Sequence, residues 1–105
     1  MVCLGNICRS PLAEGVMQHL ADENGLGWDV DSAGTGRWHV GEAPDRRSIR
    51  AARNHGIDIS KQICRQFRRS DFSQFDHIFV MDKYNLSDVL AMAPNEEAAT
   101  KVKLL

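Results

Sequence analysis

Val2-Cys3-Leu4-Gly5-Asn6-Ile7-Cys8-Arg9-Ser10-Pro11 runs from an apolar strand residue through a short loop into the start of a helix. Ser10 supplies a capping hydroxyl and Pro11 suits the first helical position, so the loop ends on the positive pole of that helix. Peptide N–H groups curled around an anion and backed by a helix N-terminus make a phosphate-binding loop, here Leu4, Gly5, Asn6, Ile7, Cys8 and Arg9. Curling demands unusual backbone angles, and Gly5 and Asn6 are the residue types that reach positive φ at least cost. Arg9 adds a planar fork able to grip two phosphate oxygens at once. The same positive surroundings favour the thiolate of Cys3, placed to attack a bound phosphorus atom, and Ser10 can donate a hydrogen bond to that sulfur. A cysteine at a strand end is more often a small buried hydrophobe. The full run with Gly5, Asn6, Ser10 and Pro11 is far more specific than a cysteine and an arginine six positions apart.

The stretch Cys3-Leu4-Gly5-Asn6-Ile7-Cys8-Arg9-Ser10-Pro11-Leu12-Ala13-Glu14 resembles the active-site signature of the low-molecular-weight protein tyrosine phosphatases almost letter for letter. The likeness continues through Asp31-Ser32-Ala33-Gly34-Thr35, Asn54-His55-Gly56-Ile57 and Phe79-Val80-Met81-Asp82. It implies one phosphatase domain over residues 1–105, shortened at both ends. Only Met1 and Val2 precede Cys3, against a usual strand of about 5 to 6 residues, and Lys101 to Leu105 reads as the beginning of an element with nothing to complete it. The resemblance further implies that Ser32 hydrogen-bonds Asn6 and holds the loop in shape, and that Trp38 lines the pocket against the ring of the substrate. It also implies that oxidation joins Cys8 reversibly to Cys3, sparing the nucleophile; a structural Cys8 is the competing reading. Relatives often brace the loop with a histidine five residues after the glycine that stands here as Gly56, and Lys61 at that position is a departure.

A chain of 105 residues with 43% hydrophobic and 26% charged content reads as one soluble globular domain. Its formal net charge of -1 gives no global attraction to nucleic acid or to an anionic membrane, and no apolar run reaches the length of a membrane span. Three cysteines, one of them beside an arginine in a loop, fit a reducing compartment, so a cytoplasmic location is expected. No metal-ligand cluster or dinucleotide fingerprint is present, and no cofactor is expected. The loop also lacks the Gly-Lys-Ser/Thr ending of nucleotide-binding proteins, which disfavours nucleotide hydrolysis.

Leu12, Ala13, Val16, Met17, Leu20 and Ala21 recur at three and four, which predicts a helix from Ser10 to about Asn24 with one buried stripe. Trp28 to Ala33 alternates like a half-open strand. The glycine-rich run from Gly34 to Pro44 is a loop. Asp45 to about His55 reads as a helix entered through Pro44 and closed by Gly56, and its Arg46, Arg47, Arg50 and Arg53 read as a solvated face. Residues 57–75 suggest an irregular connection with short helical turns. His77 to Met81 suggests a strand covered on both faces, followed by an Asp82 cap and a helix from Lys83 to about Met92. This alternation predicts an α/β fold, a parallel twisted sheet with helices on both faces and the phosphate loop after the first strand.

By that resemblance, Cys3 attacks a phosphotyrosine protein or aryl phosphate, Arg9 and the loop amides hold the phosphoryl oxygens, and water cleaves the phosphocysteine without a metal. The leaving phenol has a pKa of about 10, so an acid is wanted; relatives supply it from an Asp-Pro pair, and this chain contains no such dipeptide. Asp82-Lys83-Tyr84 resembles such a segment only superficially. Arsenate reductases of this fold need two further cysteines, and only Cys64 lies outside the loop. Protein arginine phosphatases commonly carry threonine where this chain has Ile7, whose branched apolar side chain favours a phenyl ring. A phosphate-binding fragment lacking the general acid is the remaining alternative.

Overall fold

Four short parallel strands, β1 (Val2–Cys3), β2 (Ala33–Gly34), β3 (Ile78–Val80) and β4 (Val102–Leu104), pair in the order β2-β1-β3-β4. The computed structural model, which describes residues 1–105, surrounds them with α1 (Arg9–Glu23), α2 (Arg46–Asn54), α3 (Asp71–Gln74), α4 (Lys83–Met92) and α5 (Glu96–Thr100). β2 lies on one side of β1, and β3 and β4 on the other. Right-handed crossovers leaving in opposite senses put α1 and α4 on opposite faces, as predicted. Open sheets of this kind bind ligands where the strand order reverses, at the carboxyl end of β1.

One side of the sheet closes a compact core. Val2, Ile78, Val80 and Val102 pack with Phe67, Phe72 of α3, Val89 of α4 and Ala98 of α5. Phe67 meets Phe72 edge to face at 5.4 Å, the favoured aromatic geometry. Under this layer, buried Asp71 accepts from the Arg65 guanidinium at 2.9 Å and from Arg68 N–H at 2.8 Å, tying the irregular 57–75 connection to the fold.

Several expectations change at the edges of elements. Ser10 does not cap α1: that helix begins at Arg9, its cap position is Cys8, and Ser10 lies inside the first turn. Its hydroxyl is engaged toward Cys3 and Asn6 instead. The expected strand from Trp28 to Ala33 pairs only at Ala33–Gly34, because β1 offers it only Val2 and Cys3 as ladder partners. Of the predicted α1 stripe, Ala21 is buried, but Val16 and Leu20 stay exposed on a face that nothing covers. Phe79 is likewise only half-buried, and with Met17 and Trp28 it lines a groove of about 990 Å³, so β3 is fully covered on one face only. Asn95 caps a further helix, α5, through Ala98 N–H at 2.8 Å, and after it Val102–Leu104 pairs in parallel beside β3. Elsewhere the reading holds: Asp82 caps α4 and Gly56 leaves α2 at φ +76°, while Asp45, expected inside α2, stands one residue before it as its cap.

Candidate active site

The loop from Leu4 to Cys8 leaves β1 at the point where the strand order reverses. Its backbone turns through Asn6, the one non-glycine residue at positive φ (57°). Gly5 is not needed there for its φ. A Cβ on Gly5 would stand 3.3 Å from His39 Cδ2, a tight contact to which the neighbouring ring would have to give way. Gly34 is the tighter case: its Cβ would meet Leu4 O at 2.8 Å and Asn6 N at 3.1 Å, pushing on the loop backbone.

Asn6 ties the loop together from within. Its amide donates to Ser10 Oγ at 2.8 Å and to Ser32 Oγ at 2.9 Å, while its Oδ1 accepts from Arg65 N–H at 3.0 Å. Ser32 passes its own proton to Glu14 Oε1 at 2.7 Å. Ser10 Oγ accepts from Asn6 and keeps a hydroxyl proton that it can donate to Cys3 Sγ, 3.0 Å away. Asn6 N–H adds a second donor to that sulfur at 3.2 Å. Cys3 is therefore a buried sulfur within hydrogen-bonding distance of Asn6 N–H and the Ser10 hydroxyl. Behind the network, burial pushes the Glu14 carboxyl up, and the Ser32 hydrogen bond partly offsets this.

The N–H groups of Leu4, Gly5, Ile7 and Cys8 donate to nothing in the protein. They are free donors around a helix N-terminus, the construction that binds oxyanions. Arg9, half-exposed, is held by Asp82 Oδ2 at 2.8 Å. Asp82 Oδ1 meanwhile caps α4 through Asn85 N–H at 2.8 Å. The cap first and Arg9 second hold the Asp82 carboxyl below its usual range. A carboxyl so shifted stays ionised through neutral pH and is protonated only as pH falls through that lowered value. Asp82 thus orients Arg9 and is unsuited to donating a proton.

Trp38 is 70% exposed, which excludes a core role, and its indole lies directly on Gly36. Gly36 N–H bonds Leu4 O at 2.8 Å, so the glycine-rich loop carries Trp38 to the rim of the phosphate loop. Ile7 is half-buried in the loop. Lys61 is exposed and braces nothing. Bracing comes from neighbours that sequence reasoning did not single out: Gln62 Nε2 donates to Pro11 O at 3.2 Å, and the Cys64 thiol donates to Asn6 O at 2.7 Å. Burial pushes that thiol up, keeping it a donor. His39, also missed, packs beside Gly5 and bonds Glu42 at 2.9 Å. Cys3, Cys8 and Cys64 are all free.

Known proteins resemble this chain in sequence and fold. The family profile for low molecular weight phosphotyrosine protein phosphatase matches residues 1–105. The chain is 47% identical to low molecular weight phosphotyrosine protein phosphatase 1 of Drosophila melanogaster over 105 residues, covering 99% of this chain and 67% of that one. A protein tyrosine phosphatase from Entamoeba histolytica superposes with a TM-score of 0.92 at 39% identity, over 98% of this chain and 66% of that one. An arginine phosphatase from Drosophila superposes with a TM-score of 0.91 at 38% identity, over 98% and 67%. This chain thus spans about two thirds of the length of the relatives it matches.

Proposed function

Because this chain belongs to the low molecular weight phosphotyrosine protein phosphatase family, we propose that it acts on phosphotyrosine in proteins, or on aryl phosphates, through a phosphocysteine on Cys3. The observation that carries this reading is the position of Cys3 Sγ, hydrogen-bonded by Asn6 N–H and Ser10 at the floor of a loop of free amides. Sulfur attacks phosphorus as the aryl oxygen departs. Arg9 and the amides of Leu4, Gly5, Ile7 and Cys8 receive the charge on the equatorial oxygens. Ser10 then stabilises the thiolate that leaves when water cleaves the intermediate. Ile7 and Trp38 supply apolar walls for a phenyl ring, which ranks tyrosine above arginine as the phosphorylated residue. Cys8 is the partner for a reversible disulfide with Cys3 under oxidation. No helix is long and apolar enough to cross a membrane, and a cytoplasmic location suits three free thiols.

Four carboxylates near the loop are already engaged: Asp82 by Arg9, Glu14 by Ser32, Glu42 by His39, and Asp45 by Arg47. General acid catalysis contributes about 10² to 10⁴ in rate. The 105-residue chain should therefore cleave para-nitrophenyl phosphate, whose leaving group departs unaided, faster than a phosphotyrosine peptide by a factor in roughly that range. Steady-state kinetics on both substrates checks this. Equal rates would mean that an acid operates within these residues, and no cleavage of either ester would overturn the phosphatase reading.

A further inference from the structure

α2 carries Arg46, Arg47, Arg50 and Arg53, four of the thirteen lysine and arginine residues of the chain. All four are exposed. Spacings of four and three align Arg46, Arg50 and Arg53 in one stripe along the helix, whereas Arg47 turns back onto Asp45 at 3.4 Å. No stripe arginine closes an ion pair. Nearby acids are engaged elsewhere: Glu42 bonds His39, Asp45 caps α2, and Asp58 accepts from Ser60, with Arg53 only a lesser influence on it. Arg46 also stands at the positive end of the α2 dipole, where a cation works against the helix. Arg53, in the last turn, does complement the dipole, so stabilising α2 accounts for one end of the stripe only.

Its position points to the candidate site. Asp45 N–H donates to Ile7 O at 2.8 Å, so the stripe begins one residue beyond a backbone bond to the phosphate loop. From Arg46 to Arg53 the helix rises about 10 Å, the span of about three residues of extended chain.

We infer that the Arg46–Arg50–Arg53 face docks an acidic segment flanking the phosphorylated residue of a protein substrate, about three Asp or Glu side chains laid along α2. With a formal net charge of -1, the whole chain does not attract such a segment; the attraction is local to this face. The inference deepens the phosphotyrosine reading and rests on it for what enters the loop.

The test uses peptides carrying a non-hydrolysable phosphonate analogue of phosphotyrosine, flanked by three acidic or three neutral residues, and an acidic peptide without the phosphonate. Binding to the 105-residue chain and to its Arg46→Gln/Arg50→Gln/Arg53→Gln variant is read by fluorescence anisotropy. The parent should prefer the acidic phosphonate peptide by roughly tenfold at low salt, and the preference should shrink as ionic strength rises. The variant should lose it while keeping its affinity for the neutral peptide and its hydrolysis of para-nitrophenyl phosphate. A parent without preference, or a preference that survives in the variant, overturns the inference. So does arginine-dependent binding to phosphatidylserine vesicles without any peptide preference. The acidic peptide lacking the phosphonate reads the stripe alone: its weak binding, lost in the variant, supports docking even if the loop rejects a phenyl phosphonate, which would count against the phosphotyrosine reading instead.

Discussion

Cys3→Ser is expected to lose turnover by about 10⁴-fold or more while the chain still folds and still binds inorganic phosphate. A serine hydroxyl at this position keeps a neighbour in Ser10 but gives no thiolate, and nothing basic stands beside it to take its proton: Ser10 and Asn6 N–H both donate toward it. The phosphate donors are untouched, because the free amides of Leu4, Gly5, Ile7 and Cys8 and the Arg9 guanidinium do not depend on the sulfur. Loss of hydrolysis with phosphate affinity retained, measured by steady-state kinetics and calorimetric titration, separates a nucleophile from a binding group. Activity comparable to the parent would show that Cys3 does not form the reactive bond.

Asn6→Ala is expected to destabilise the fold by about 3 kcal/mol and to cut kcat by about 10²-fold. Three partners lose their bond to one almost fully buried side chain: Ser10, Ser32 and Arg65 N–H. A buried donor or acceptor left unpaired costs about 1 to 3 kcal/mol. Alanine also tolerates φ 57° poorly, at about 1 kcal/mol. Part of the loss is relieved where the two serines rebond to each other or to Glu14. For a domain of this size the change lowers Tm by roughly 10 to 20 °C. Asn6→Gly separates the two contributions. Glycine restores the left-handed backbone and so some stability, but Ser10 is still released from its fixed orientation, and kcat should stay low. Recovery of full kcat in the glycine variant would show that backbone freedom, not the side-chain network, is what Asn6 provides.

The site was legible because its chemistry is local. Cys3, Asn6, Arg9 and Ser10 fall within one turn of chain, so residue types and spacing were enough to propose a phosphate loop, and the family likeness brought Ser32 to Asn6. What failed were the details that depend on packing. Ser10 looks like a helix cap by its place before Pro11, but two tertiary hydrogen bonds recruit the hydroxyl inward and the helix starts one residue earlier. Gly5 looked like a residue chosen for its φ, but its φ is not positive, and what stands against it is the ring of His39, thirty-four positions away. The brace from Gln62 and Cys64 carried no motif at all; only the fold brings that irregular segment against Pro11 and Asn6.

Strand ends were the least legible part of the fold. An alternating run such as Trp28 to Ala33 predicts extended backbone, yet the length of the ladder is set by β1, which no local pattern in that run reports. Conversely, Lys101 to Leu105 was read as an element, but three residues of β4 are too few to show its type, although Asn95-Glu96-Glu97 before Ala98 is a readable helix start that would have framed it. The cap at Asp82 was read well because a carboxylate three positions from the amide it receives is a local event. The same Asp82 shows the limit of that reading. Its other oxygen reaches Arg9 across seventy-three positions, and this contact, which no local pattern reports, holds the Arg9 guanidinium in place.

The central claim is a covalent phosphocysteine on Cys3, and the most direct measurement is mass spectrometry of the chain quenched in acid during turnover of para-nitrophenyl phosphate. The peptide containing Cys3 should gain the mass of one phosphoryl group in the parent and none in Cys3→Ser, with Cys8 and Cys64 unmodified in both. Phosphoryl transfer to another residue, or hydrolysis that proceeds with no phosphorylated peptide at any quench time, would contradict the account.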